Sequence, residues 1–337
     1  MNSFAFNSQL NYVATIGSFD GVHRGHQCLL RQVRSIADER GLDAVAITFG
    51  VSPKEVLGMP AAPQLSTKEE RIDLLRQMGM DEVAVLDFTP QMAAMTARDF
   101  MRQVLRDELH VAVLVIGYDH RFGRGRSEGF DDYVRYGEEL GIEVVRGEAC
   151  TEDGEPISST RIRHLLAEGD VDGAARLLGY RYTLHGEVVG GYREGRKMGF
   201  PTANIRIDNR QQTTDEVVDC KLIPADGVYA VYVNAVDNDN EDENFHPGED
   251  SEFRIQNSKF RHAGMLNIGY RPTLNNGQER SIEVHILDFE GDLYGKDITV
   301  ELVCRLREER TFASTEELTE QLQRDEERVR GILNFEF

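Results

Sequence analysis

The chain of 337 residues predicts an α/β domain with a parallel sheet, followed by a small antiparallel β-barrel that ends in a helix. Three observations predict this. Apolar strand candidates alternate with helical stretches through the first half, which implies crossover connections and a sheet covered on both faces. From about Tyr182 the pattern changes to short alternating runs separated by glycine and Asp-Gly turns. The final stretch, opening at Ser314-Thr315-Glu316-Glu317, carries Leu318, Leu322, Val329 and Ile332 at helical spacing. The division is expected between residues 178 and 179, giving domains 1–178 and 179–337.

The strands expected in the first domain are Val13–Ile16, Ala44–Phe49, Glu82–Phe88, Val111–Gly117 and Glu143–Arg146. Two intervening helices carry start signals: a capping box at Ser66-Thr67-Lys68-Glu69, and Thr96 before Ala97-Arg98-Asp99. Ligands of a doubly wound sheet lie beyond the carboxyl ends of its strands. Four polar or glycine-rich segments fall at such ends: Ser18–His26, Gly50–Pro53, Asp119–Arg126 and the loop before Ser158. Their convergence predicts a nucleotide site.

The first of these belongs to Gly17-Ser18-Phe19-Asp20-Gly21-Val22-His23-Arg24-Gly25-His26, between a strand and a helix bearing Leu29, Leu30, Val33, Ile36 and Ala37. A glycine-rich turn into a helix aims free N–H groups and the positive helix end at an anion. His23 and His26 are placed to offset charge on a phosphoryl group in the transition state. Gly17, Phe19, Asp20 and Gly25 form the surrounding phosphate turn. Arg121, Arg124 and Arg126 in Arg-Phe-Gly-Arg-Gly-Arg form a local cationic cluster suited to a small anion. In Ile157-Ser158-Ser159-Thr160-Arg161-Ile162-Arg163 two readings stay open: Ser159, Thr160 and Arg163 bind a phosphate chain, or Ser159 is an N-cap and Arg163 a surface residue.

The second domain carries a fourteen-residue pattern, G-x-x-x-G-R-x-x-G-F-P-T-A-N, from Gly191 to Asn204. Gly191, Gly195 and Gly199 let backbone approach phosphate oxygens, and Arg196 adds charge. On an extended strand Thr202 and Asn204 share one face. Their neutral oxygens suit a hard Mg²⁺ shared with substrate phosphates. Further along, Ile282, Val284 and Ile286 share one strand face while Glu283 and His285 share the other. Glu283 at a barrel rim is a candidate general base; a solvated strand face is the plainer alternative.

Composition narrows the partners. With 59 acidic and 38 basic residues the net charge is −21, which disfavours nucleic acid and anionic membranes. The stretch Asp237–Glu252 is too polar to order itself and reads as a flexible insertion, about 237–256. A calcium site there lacks the D-x-D-x-D-G spacing. Cys28, Cys150, Cys220 and Cys304 show no metal-ligand or C-x-x-C spacing and read as four reduced thiols in a cytoplasmic protein. Met1–Phe6 lacks the features of a signal peptide.

These segments together resemble the bifunctional bacterial riboflavin kinase/FMN adenylyltransferase (FAD synthetase) family across nearly the whole chain. The resemblance rests on G-x-F-D-G-x-H-x-G-H, Phe122–Arg126, Ser158-Ser159-Thr160-x-Ile162-Arg163, G-F-P-T-A-N, Asn267–Thr273 and Glu283-Val284-His285. It implies a Rossmann-like nucleotidyltransferase domain, a six-stranded kinase barrel, Mg²⁺, and ATP, riboflavin, FMN and FAD as ligands of a monomer or weak oligomer. It also implies flavin contacts for Asp119, Asn267 and Arg271. Two stretches depart from the family pattern. Thr48-Phe49-Gly50-Val51-Ser52-Pro53 stands where a second histidine-proline motif is usual, and Tyr118-Asp119-His120 replaces a more acidic-aromatic loop. A kinase with a degenerate first domain is the alternative reading.

Overall fold

A computed structural model of the protein describes residues 11–59, 62–152, 154–190, 195, 198–207, 210–212, 217–219, 221–235, 261–270 and 280–333. Gly191, Arg196, Arg271 and the expected insertion at 237–256 lie outside them. The chain forms two compact units that divide between Ser159 and Thr160.

In the first unit, β1 (Tyr12–Ile16), β2 (Asp43–Phe49), β3 (Glu82–Leu86), β4 (Val111–Ile116) and β5 (Glu143–Arg146) form one sheet in the order β3-β2-β1-β4-β5. Every pairing in it is parallel. The order reverses at β1, so the crevice between the carboxyl ends of β1 and β4 is the topological switch point. β3 and β4 stop short of the expected Phe88 and Gly117.

Alternate residues of the strands feed two separate cores. Tyr12, Ala14, Ile16 and Leu114 pack with Phe100, Met101, Leu105 and Tyr133. Val13, Val113 and Val115 pack on the other face with Leu30, Val33 and Leu75. The helices that supply these residues are α1 (Arg24–Arg40), α3 (Lys68–Gln77), α5 (Ala97–Phe100, continuing as a π-helix through Met101–Glu108) and α6 (Phe130–Leu140); the short helices α2 (Pro53–Val56) and α4 (Pro90–Ala93) bury no residue. A short hairpin, β6 (Thr151–Glu152) and β7 (Glu155–Pro156), follows.

Thr96 caps α5 as expected, accepting from Asp99 N at 3.1 Å. The capping box of α3 forms one residue later than the sequence suggests. Thr67 accepts from Glu70 N at 3.2 Å and donates its own N–H to Glu70 at 2.9 Å. Ser66 is not available for it, because its hydroxyl accepts from Gly21 N at 3.0 Å.

The cysteine expectation needs correction. Cys28 on α1 and Cys150 beyond β5 are joined in a disulfide, and Cys304 is the free thiol among the described cysteines. The two lie 122 residues apart in sequence, so spacing alone carried no sign that the sheet brings them together.

The second unit opens with α7 (Ser159–Glu168, its first residue excepted) and α8 (Val171–Leu178). Its strands are β8 (Thr183–Val189), β9 (Ala203–Ile207), a short pair β10 (Arg210–Gln212) and β11 (Val217–Asp219), then β12 (Gly227–Ala235), β13 (Arg261–Tyr270), β14 (Arg280–Ile286) and β15 (Asp297–Arg307). Six of them close an antiparallel barrel in the order β12-β13-β14-β9-β8-β15. The terminal helix α9 (Thr315–Leu333) begins where Ser314 Oγ accepts from Glu317 N at 3.2 Å. It lays Val329 and Leu333 on Val228, Ala230, Tyr232 and Met265 of the barrel wall. Asp325, wholly buried on that face, accepts from Arg307 Nε at 2.8 Å.

Candidate active sites

In the first unit, β1 delivers the chain into a tight turn. Gly17 N donates to Ile47 O at 3.0 Å, and Phe19 takes a left-handed φ of 48° with its ring buried. His23 then caps α1 by accepting from His26 N at 3.4 Å. The imidazoles of His23 and His26 stack with centroids 3.7 Å apart, and Phe19 meets His26 edge-on at 5.2 Å. Gly25 leaves room for this stack, since a Cβ there would lie 3.2 Å from the His23 ring.

His26 is held well below the usual histidine range, first by burial and then by His23 and His120. It is therefore a neutral imidazole near pH 7, able to donate a hydrogen bond without carrying charge. Its Nδ1 is buried and makes no hydrogen bond.

Asp20, grouped by sequence with the phosphate-binding residues, turns its carboxylate toward the loop before α3. Its buried carboxylate accepts from Leu65 N at 2.8 Å and Ser66 N at 3.1 Å, fixing the turn from beneath. Ser159 likewise does not serve as an N-cap. It is the first residue of α7, and its hydroxyl donates to Asp20 O at 3.1 Å.

Beyond β4, Asp119 and Arg124 are exposed, and Arg124 N donates to Met95 O at 2.8 Å. Phe122 stacks on Tyr133 at 4.3 Å, and the Tyr133 hydroxyl accepts from Phe122 N at 3.0 Å. Thr160 is exposed and Arg163 half-buried on the helix that opens the second unit.

Sequence reasoning missed Arg71. It is 4% exposed, and it donates to Ser18 O at 3.1 Å and Phe49 O at 2.8 Å, tying the loop that leaves β1 to the end of β2. Burial lowers its pKa, against the attraction of Asp20 and Glu69. The available signal was a charged residue one turn before the buried Leu75 on the inner face of α3.

In the second unit the pattern around Gly195–Asn204 makes a compact turn. Met198 N and Phe200 N both donate to Gly195 O, at 3.1 and 2.9 Å. A Cβ at 195 would run into the Phe200 carbonyl, and Gly199 takes φ of 85°. The turn leads into β9, which pairs with β14 so that Asn204 lies opposite Glu283. On the other side of β14, Glu283 lies opposite Asn267.

Directly paired residues of an antiparallel ladder project to one face. Asn267, Glu283 and Asn204 therefore form a row across three strands. Thr202 Oγ1 donates to Glu283 Oε2 at 3.3 Å, and Asn204 is buried. His285 lies with its Nδ1 2.8 Å from Pro201 O; a carbonyl only accepts, so that nitrogen carries the proton. This contact and the edge-on Phe200 ring at 5.3 Å anchor the turn to β14.

No cluster of three or more His, Cys, Asp or Glu residues suited to a metal occurs among the described residues. The set Thr202, Asn204 and Glu283 is of another kind, a hydroxyl, an amide and a carboxylate, all hard oxygen donors.

The chain matches a family model described as FAD synthetase over residues 6–161 and one described as riboflavin kinase over residues 178–333. A Listeria monocytogenes protein named bifunctional riboflavin kinase/FMN adenylyltransferase is 34% identical over 327 residues, covering 96% of this chain and 93% of the relative. The Escherichia coli protein of the same name is 36% identical over 315 residues, covering 93% and 90%. A crystal structure from Streptococcus pneumoniae, titled macrolide-efflux protein, superposes with TM-score 0.79 at 30% identity, covering 96% of this chain and 95% of that one. No helix among the described residues is long and apolar enough to cross a membrane. On the two family models and the near full-length relatives, the chain belongs to the bifunctional riboflavin kinase/FMN adenylyltransferase family.

Proposed function

We propose that the protein phosphorylates riboflavin to FMN with ATP in its second unit and adenylylates FMN to FAD, releasing pyrophosphate, in its first. The observation that carries this is the presence of both domains on one chain. A kinase-only protein is not favoured, since the named relatives are bifunctional and align over both halves.

The two reactions ask for different residues. The terminal alcohol of riboflavin is a weak nucleophile at neutral pH, so its attack on the γ-phosphorus of ATP calls for a base. Glu283 takes the hydroxyl proton, and Thr202 orients its carboxylate through the 3.3 Å hydrogen bond. Thr202 and Asn204 would hold Mg²⁺, supported by their hard oxygen donors beside a carboxylate. When bound, the ion screens the charge of the ATP phosphates. The tight Gly195–Phe200 turn brings backbone near enough to cradle those phosphates, with Gly191 and Arg196 assigned to the same loop. Asn267, in the row with Glu283, and Arg271 contact the flavin.

FMN brings a phosphate whose second pKa is about 6, so its attack on the α-phosphorus of ATP needs no base. It needs alignment and charge stabilisation. His23, His26 and the N-terminus of α1 supply these at the switch point. Gly17, Phe19 and Gly25 shape the turn, and Arg124 and Asp119 contribute from the β4 loop. The need for ATP supports a cytoplasmic location.

Chromatography of riboflavin, ATP and Mg²⁺ incubated with the protein tests the proposal. FMN appears first and FAD follows. FMN without FAD would leave the kinase alone; neither product would overturn both assignments.

A further inference from the structure

His120 stands in the loop that leaves β4. The loop folds back at once, with His120 N donating to Gly117 O at 3.0 Å. Its imidazole lies 6.3 Å from Phe122, between centroids. The Nε2 atom is buried and makes no hydrogen bond. The Nδ1 of His26 is in the same condition.

Two buried imidazole nitrogens left without partners are costly. A buried polar group that forgoes its hydrogen bond gives up its hydration without compensation. Each comes from a different strand end, β1 and β4, on the two sides of the switch point. They are close enough for the charge of His120 to be felt at His26. The other charged or titratable groups acting on this cluster are His23 from the start of α1, and Asp119 and Arg126 from the β4 loop. Burial lowers the His120 pKa to about 4, with Arg126 adding to the effect and Asp119 opposing it. Near neutral pH His26 and His120 are thus uncharged imidazoles, each with a buried nitrogen that makes no hydrogen bond.

We propose that His120 completes, with His23 and His26, a three-imidazole site that grips the polyphosphate of the nucleotide during adenylyl transfer. The inference rests on the assignment of adenylyl transfer to the first unit. It adds to the glycine-histidine turn a binding residue from the opposite side of the crevice. Neutral imidazoles donate to phosphate oxygens without the desolvation penalty that a buried cation carries before the ligand arrives. Anion binding also favours the protonated form, so binding draws protons onto the cluster.

The test uses the full chain. His120→Phe keeps an aromatic ring and removes both nitrogens; FAD formation from FMN and ATP is expected to fall about 10²-fold. His120→Asn, which restores a donor, recovers part of the loss. The second measurement does not depend on the variants' folding. Among the nine histidines, the imidazole NMR resonance of His120 shifts when pyrophosphate is added to the wild-type protein. Wild-type protein that makes no FAD would overturn the adenylyltransferase assignment itself. Wild-type protein that makes FAD while His120→Phe stays within about twofold would overturn only the role of His120. So would a His120 resonance that pyrophosphate leaves unmoved.

Discussion

Glu283 and Asn204 face each other across the β14–β9 ladder, and Thr202, two residues before Asn204, donates its hydroxyl to the Glu283 carboxylate at 3.3 Å. Glu283 and Asn204 are thus held by strand pairing, and Thr202 by the turn that leads into β9. Glu283→Gln keeps the shape and the hydrogen bond while removing the basic oxygen. FMN formation is expected to fall about 10²–10⁴-fold, with FAD formation from supplied FMN nearly unchanged. Loss of both together would indicate unfolding, and no loss would remove Glu283 from the mechanism.

The proposed metal ligands and the proposed base can be told apart by their Mg²⁺ dependence. Thr202→Val and Asn204→Ala should each raise the Mg²⁺ concentration needed for half-maximal FMN formation, with the rate partly recovered at high Mg²⁺. Glu283→Gln should show no such recovery. A Mg²⁺ dependence identical to wild type in both variants would end the ligand assignment.

The position of the division can be tested by fragments. The sequence suggests a boundary after 178, yet α7 and α8 belong with the barrel. Ala225 N donates to Leu166 O at 3.0 Å, and Arg305 Nη1 to Glu168 O at 3.3 Å. Leu166 and Leu178 are fully buried. Each buried leucine contributes about 1.5–3 kcal/mol. A fragment starting at Thr160 should fold and phosphorylate riboflavin, and one starting at Gly179 should melt at a clearly lower temperature. Equal melting temperatures would show that the helices add nothing to the barrel.

What the sequence made legible follows a physical line. Apolar runs and turn residues are local, so the five strands of the first sheet were readable within a residue or two, and the change to alternating runs marked the barrel without fixing all of its strands. The period of two placed Thr202 and Asn204 on one face. Their meeting with Glu283, 81 positions from Thr202, depends on which strands pair, and no local pattern encodes that. Arg71 and the Cys28–Cys150 bridge are invisible for the same reason: each matters through contacts between segments far apart in the chain. The capping box slipped by one residue because Ser66 is claimed by Gly21, a long-range hydrogen bond that overrides a local signal.

The disulfide has a measurable consequence. It closes a loop spanning 122 residues of the first unit, and bridges over long loops typically stabilise by about 2–5 kcal/mol. Cys28→Ser with Cys150→Ser should lower the unfolding midpoint of the first unit, and a reductant should do the same to the wild type alone. Thiol titration of the unfolded chain should find two fewer free thiols before reduction than after. Equal thiol counts would show that the bridge does not form.

His26, proposed for adenylyl transfer, also bears on the stability of the first unit. As a donor to the charged transition state, its loss in His26→Ala should reduce FAD formation from FMN and ATP by about 10²–10³-fold. FMN formation should continue, because the phosphate turn and base proposed for it lie in the second unit. The lowered pKa adds a pH signature. An unfolded histidine titrates near 6.5, whereas folded His26 resists protonation well below that value and folded His120 to about 4. Between those limits the unfolded chain binds more protons than the folded one, so stability falls as pH drops below about 6.5. Each histidine contributes a slope of up to about 1.4 kcal/mol per pH unit. His26→Ala removes its share, so the first unit of the variant should lose less stability than wild type between pH 6.5 and 4. Parallel stability curves for the two proteins would mean that His26 is solvated and charged like any surface histidine. Undiminished FAD synthesis would dismiss it from the adenylyl-transfer centre.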